Sequence, residues 1–216
     1  MFYSIIIRHS NRFRICKPEK SFGTGLTIRG YVNALIAGLY LRGYGIQAIY
    51  ASAVPRCIET AKWASYGNYP RKIAVQADED VYGMASVGFL GQGKFEEWGE
   101  WMHTDGKGLL FSDPEMCFYI GNRIGIIKYS RVRDYARDFM GAFLNGENNL
   151  VVSHDSTVAP LLRHFENEYG FDSGIKNKPE MLTGILVGHE GGDICRIAHI
   201  DCIRFRTRWL WDKAKK

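Results

Sequence analysis

The residues with the greatest chemical potential in this sequence are histidines at the ends of apolar runs. Ile5-Ile6-Ile7 leads directly into Arg8-His9, and Arg12 follows three residues after His9. Three successive β-branched residues read as a fully buried strand. Open α/β sheets build their sites at the C-terminal ends of such strands. Like charges repel, so a histidine ringed by arginines is poor structural filler unless an anion lies between them. The alternative is an ordinary surface pair at a strand end, and Arg8 and His9 alone do not decide between the two. A second buried run, Leu150-Val151-Val152, leads into Ser153-His154-Asp155. If the two strands are parallel neighbours, His9 and His154 meet in one crevice. Between them in sequence, Ser52-Ala53-Val54-Pro55-Arg56 places Arg56 in the first turn of a helix that follows a strand. Helix N-termini attract anions, and an arginine fork grips phosphate oxygens in pairs. Two imidazoles, at least two guanidiniums and a carboxylate suit a phosphoryl group. The arginines neutralise its charge, one histidine attacks, and a carboxylic acid protonates the departing alcohol.

The elements that must position these groups can be followed along the chain. After Arg12 a polar loop runs through Lys17 to Gly25. Thr27 is the expected N-cap of a helix with Ile28, Val32, Leu35, Ile36 and Leu39 on its apolar face and Gly43 as its stop. Ala48 to Ala51 reads as a short strand. Ser52 is expected to cap the next helix, which carries Pro55 in its first turn, then Ile58, Ala61 and Ala64, and ends at Gly67. Ile73 to Val75 is a third strand candidate. Residues 84–122 are glycine-rich, hold Trp98 and Trp101 and show no clean period. They read either as a cap over the site or as a peripheral insertion. Val132, Tyr135, Ala136, Phe139, Met140 and Phe143 define an amphipathic helix stopped at Asn145-Gly146. Val158, Leu161, Leu162 and Phe165 define another, ending at Gly170. Gly184–Val187 and Ile194–Ala198 are expected to pair as a hairpin across Gly191-Gly192. The alternation predicts one α/β domain over residues 1–216, a three-layer sandwich whose mostly parallel sheet is flanked by helices.

Composition narrows the function classes. The chain has 216 residues, 46% of them hydrophobic, and a formal net charge of +5, with a pI near 8.9. That suits an anionic small ligand and is too weak a charge to demand nucleic acid. Cys16, Cys57, Cys117, Cys195 and Cys202 are odd in number and form no CxxC pair. They read as reduced thiols, not as a disulfide framework or a zinc site. No run has the character of a signal peptide or a membrane span. The expectation is a cytoplasmic protein with no membrane partner, no nucleic-acid partner, no metal and no cofactor.

Four stretches together carry a family resemblance. Arg8-His9-Ser10 resembles the Arg-His-Gly motif of the histidine phosphatase superfamily. Leu26-Thr27-Ile28-Arg29-Gly30 resembles its Leu-Thr-x-x-Gly helix start, Ser52 to Arg56 with Thr60-Ala61 its Ser-x-x-x-Arg and Thr-Ala segment, and Ser153-His154-Asp155 its third motif. Any one of these is weak; four in order are strong. The resemblance implies a phosphoglycerate mutase-like fold. It implies that His9 is the nucleophile that becomes phosphohistidine, that Arg8 and Arg56 bind phosphate oxygens, and that His154 lines the same pocket. Arg12 resembles the second arginine of the acid-phosphatase branch, and Asp155 resembles that branch's proton donor. Glu79, four residues before Gly83, instead resembles the glutamate donor of the mutase-like branch, which the chain length also favours. The sequence places Asp155 ahead of Glu79 because the backbone ties it to His154, and so leans towards the acid-phosphatase branch. Ser10 departs from the family glycine, and Phe13-Arg14 from its x-Pro.

The leading expectation is therefore a metal-independent phosphatase acting on a small phosphorylated metabolite, with a homodimer as a further expectation. A mutase returning the phosphoryl group to its product, and a binding protein that keeps the pocket without turnover, are the alternatives. His103, His164, His189 and His199 lack ligand-like spacing and are expected to be structural. Cys57, beside Arg56, reads as a buried helix-face thiol, although the adjacent charge favours its thiolate. The aromatic and basic run from Arg204 to Trp211 is expected to pack its rings on the domain edge with its charges in water.

Overall fold

The computed structural model describes residues 1–14, 23–70, 72–78, 129–173 and 180–215. In chain order they form β1 (Phe2–Arg8), α1 (Ile28–Leu41), β2 (Ala48–Ser52), α2 (Pro55–Gly67), β3 (Val75–Asp78), α3 (Tyr129–Phe143), β4 (Asn149–Ser153), α4 (Asp155–Tyr169), β5 (Thr183–Glu190), β6 (Asp193–Asp201) and β7 (Arg206–Asp212). The strands make one sheet in the order β3-β2-β4-β1-β5-β6-β7. β1, β2, β3 and β4 pair in parallel, while β5 joins β1 antiparallel and continues into β6 and β7 as hairpins. The architecture is the expected α/β sandwich, and β5 and β6 form the expected hairpin around Gly191 and Gly192.

The central strands are apolar on both faces because both faces are covered. Ile5 and Ile7 of β1, with Leu150 and Val152 of β4, face a core shared with Ala37 of α1 and Cys57, Ala61 and Ala64 of α2. Ile6 and Val151 point the other way, onto Ala136, Phe139, Met140 and Phe143 of α3 and Val158, Leu161, Leu162 and Phe165 of α4. α4 therefore buries the stripe its sequence periodicity predicts, α3 buries Ala136, Phe139, Met140 and Phe143 of its own, and Gly170 ends α4 in the left-handed conformation.

Helix α1 does not. Its expected apolar face is largely in solvent, with Ile28 83%, Val32 51% and Leu39 55% exposed. The buried face is Gly30, Ala34, Ala37, Gly38 and Leu41. The reason is the closeness of α1 and α2. A Cβ at Gly38 would strike the carbonyl of Ala64, and one at Gly67 would strike the carbonyl of Leu35. Only a small-residue seam lets two backbones approach so closely, so the larger side chains are turned outward.

Three smaller differences follow from local geometry. α1 runs into a short 3₁₀ turn, Arg42–Tyr44, and the left-handed stop is Gly45, not Gly43. β3 begins at Val75, two residues after the expected start. Ser52 is the last residue of β2 and not a cap; α2 is entered through Val54, which makes no side-chain cap bond, with Pro55 in the first turn. The segment expected as a cap, 84–122, lies outside the described residues, as do Cys16, His103, Cys117 and Glu79. At the far edge of the sheet, Arg206 and Arg208 of β7 are exposed and Trp211 is half-buried against Tyr169, but Trp209 remains 42% exposed beneath Arg196.

Candidate active site

The parallel pairing of β1 with β4 sets the site. Arg8 is in register with Ser153, so the next residue of each strand is a histidine. The backbone N–H of His9 donates to the Ser153 carbonyl at 2.8 Å, extending the ladder one step past the strand ends. The two rings lie edge to face, their centroids 5.5 Å apart, and both residues are buried.

The loop after His9 is tied down from two sides. Thr60 of α2 accepts from the Ser10 N–H at 3.0 Å and donates to the Arg56 carbonyl at 2.7 Å. The Ser10 hydroxyl donates to the Gly30 carbonyl at 2.8 Å. Thr27 caps α1 as expected, accepting from the Gly30 N–H, while its own N–H donates to the Asn11 carbonyl at 3.0 Å. A Cβ at Gly30 would strike that Asn11 carbonyl, which explains why the helix start needs glycine there. Ser10 does not need the freedom of the family glycine, because Leu182 and Phe205 are the only described non-glycine residues with positive φ.

Arg56, in the first turn of α2, spans both imidazoles. Its Nε donates to Nε2 of His9 at 3.2 Å, and an Nη lies 3.2 Å from Nδ1 of His154. A guanidinium has no acceptor, so each of these ring nitrogens must present its lone pair. The other nitrogen of His9, Nδ1, lies 2.7 Å from the Ser10 carbonyl and must donate to it. His9 is thereby held with its proton on Nδ1 and its Nε2 lone pair facing the arginine. Arg8 pairs with Asp155, Nη2 to Oδ2 at 3.0 Å, and both side chains are buried.

Burial and positive charge act in the same direction on the two imidazoles. The pKa of His9 lies well below the ordinary 6.5, chiefly through burial and then through His154, Arg56 and Arg8, opposed by the bond to the Ser10 carbonyl. That of His154 is lowered by burial and then by Arg56, Arg8 and Arg12. Burial, Arg56 and Arg8 bring Arg12 down to about 10, against the pull of Asp155. The Nη1 of Arg12 bonds the Phe13 carbonyl at 2.9 Å. Cys57 stays a thiol: burial pushes it up to about 12 and outweighs Arg56.

The structure thus brings together His9, His154, Arg8, Arg56 and Asp155, with Arg12 at the edge. Neutral imidazoles amid several cations suit an oxyanion, because a bound anion offsets the repulsion between the guanidiniums. Ser52 and Thr60 were within the quoted motifs, but nothing in their spacing showed which groups they touch. Their contacts arise only when β2, β4 and α2 meet.

The histidine phosphatase superfamily (branch 1) model matches residues 5–174. The chain belongs to the histidine phosphatase superfamily. Among solved structures, phosphoglycerate mutase from Bacillus anthracis str. Sterne is similar, with 14% identity and a TM-score of 0.61 over 94% of each chain. Phosphoserine phosphatase from Entamoeba histolytica in complex with 3-phosphoglyceric acid has 15% identity and a TM-score of 0.53, covering 94% of this chain and 100% of that one. The ecdysone phosphate phosphatase of Bombix mori in complex with tungstate has 12% identity and a TM-score of 0.51, covering 90% and 92%. No curated protein matches the chain in sequence. The fold shared with this superfamily member is therefore phosphoglycerate mutase-like, and the expected leaning towards the acid-phosphatase branch finds no support. Among the described residues no helix is long and apolar enough to cross a membrane.

Proposed function

We propose that this superfamily member is a phosphatase that hydrolyses a small phosphomonoester through a phosphohistidine on His9. The observation that carries the reading is the fixed tautomer of His9: Nδ1 donates to the Ser10 carbonyl and the Nε2 lone pair points at Arg56. A nucleophilic imidazole must be neutral with its attacking lone pair exposed to the electrophile, and the lowered pKa keeps it so.

In the first half-reaction the His9 Nε2 lone pair forms an N–P bond as the ester P–O bond breaks. Arg56, Arg8 and Arg12 hold the equatorial oxygens, and a carboxylic acid gives its proton to the departing alkoxide. In the second half, water attacks phosphorus, its proton passes to that carboxylate, and the N–P bond breaks to release phosphate. Asp155 and Glu79 are the two candidates for the acid. Asp155 already accepts from Arg8, a role that competes with donation and suits it to orienting the arginine. The branch-1 match adds weight to Glu79. The separating measurement is leaving-group dependence: the variant lacking the true acid loses on the order of 10²–10⁴-fold on alkyl phosphates and far less on an aryl phosphate.

Acid-labile, base-stable phosphate should be trapped on the wild type during turnover of an aryl phosphate and be missing from His9→Ala. Full activity and continued trapping in His9→Ala would overturn the proposal. Transfer to a second hydroxyl in place of release as inorganic phosphate would identify a mutase.

A further inference from the structure

The residue expected to cap α2 does something else. Ser52 ends β2, is fully buried, and holds its Oγ 3.1 Å from Nε2 of His154. On the other side of that ring, Arg56 occupies Nδ1 at 3.2 Å. Because the guanidinium can only donate, Nδ1 carries the lone pair of the neutral ring and the proton resides on Nε2. That proton needs an acceptor in a buried site, and a serine hydroxyl can accept. Sγ of Cys57 also lies near Nε2, at 3.5 Å, a weak acceptor whose own proton points to the Ser153 carbonyl at 3.6 Å.

We propose that Ser52 is a positioning residue: its hydroxyl accepts the Nε2 proton of His154 and so holds the Nδ1 lone pair towards Arg56 and the phosphate pocket. The consequence for turnover rests on the phosphatase reading above. When a phosphate enters and draws Arg56 onto its oxygens, Nδ1 is the atom that faces the ligand, and any proton taken up there can be donated to it. The Nε2 bond to Ser52 is compatible with both the neutral and the protonated ring, so the hydroxyl keeps the ring in one orientation through the cycle. A hydroxyl at the end of β2 serves this purpose because β2 is the parallel neighbour of β4, which delivers His154.

The test reads the tautomer directly. In ¹⁵N-labelled wild type, the ring correlations that disappear in His154→Gln should show the Nε2–H form in the absence of ligand. Ser52→Ala should convert that pattern to a mixture or to the Nδ1–H form and lower kcat/KM on the order of 10–100-fold, the range typical of outer hydrogen-bond partners of functional histidines. Ser52→Thr, which keeps the hydroxyl, should restore both. Cys57→Ala should leave the His154 pattern unchanged. An Nδ1–H pattern in the wild type, an unchanged pattern in folded Ser52→Ala, or a pattern that moves with Cys57→Ala instead overturns the proposal. The resting spectrum requires no turnover. A wild type inert towards aryl phosphate but showing an Nε2–H ring that Ser52→Ala disturbs would therefore sink the phosphatase reading and uphold the role of Ser52.

Discussion

The two helical layers bury the same sheet by different means. On one face, α3 and α4 cover Ile6 and Val151 with large side chains, Phe139, Met140, Phe143, Leu161 and Phe165 among them. On the other, α1 and α2 meet backbone to backbone, Gly38 against Ala64 and Gly67 against Leu35. Large side chains can shift by rotamer changes and tolerate small displacements of the helix they belong to. A seam of peptide groups has no such play. Several groups that hold the site sit on the second kind of layer, since Arg56 opens α2, Thr60 anchors the loop after His9 and Gly30 receives the Ser10 hydroxyl. From the first layer only the start of α4 reaches it, through His154 and Asp155. Functional geometry tolerates little displacement, since small misplacements cost large factors in rate.

Four measurements would sharpen or break this contrast. The largest effect is expected at Arg56→Ala, which removes the donor that spans both imidazoles. Catalytic efficiency on any phosphomonoester should fall at least about 10²–10³-fold, as for other charge-stabilising donors, while Tm moves little. Normal efficiency would remove Arg56 from the site. Phe165→Ala, on the opposite layer, should do the reverse: a loss of about 3–5 kcal/mol of stability, read by denaturant unfolding, with turnover per folded molecule nearly unchanged. A large drop in kcat for the folded fraction would show that the bulky layer also sets the site.

Gly30→Ala tests the close approach of α1 to the loop after His9. The added methyl meets the Asn11 carbonyl, so the loop after His9 must move. Overpacking of this kind costs about 1–3 kcal/mol, and here kcat should fall along with stability, unlike in Phe165→Ala. Retained kcat would mean that the loop shifts without disturbing His9.

The smallest effect is a pH dependence to which the site histidines contribute alongside His164, His189 and His199, whose pKa values burial also lowers. His9 and His154 titrate in the folded chain well below their ordinary 6.5. Between those lowered values and 6.5 the unfolded chain binds more protons than the folded one, so stability rises with pH in that window. The contribution is fully present above 6.5 and lost as pH falls through the folded values. Tm should therefore decline below pH 6.5, and replacing both site histidines with glutamine should make the decline shallower. An unchanged slope in that variant would place the acid sensitivity elsewhere.

The sequence by itself determined what depends on local pattern. The apolar runs Ile5–Ile7 and Leu150–Val152 with a histidine after each, the Thr27 cap, the Pro55 entry to α2, the stripes of α3 and α4 and the stop at Gly170 are all recorded in nearest-neighbour chemistry. Residue order and spacing also specified which cations and carboxylates were available. The tertiary structure decided which face of α1 is inside, because burial there follows closeness of approach to α2 and not hydrophobicity: glycine and alanine are chosen by the space left, and Ile28 and Val32 are turned to solvent. It decided that Asp155 faces Arg8 and that Ser52 faces His154 in place of capping a helix. Both contacts join residues far apart in sequence through the parallel register of β1, β4 and β2. Hydrogen bonds between distant side chains leave no periodic trace in a sequence, because only the pairing of strands sets the distance between their ends.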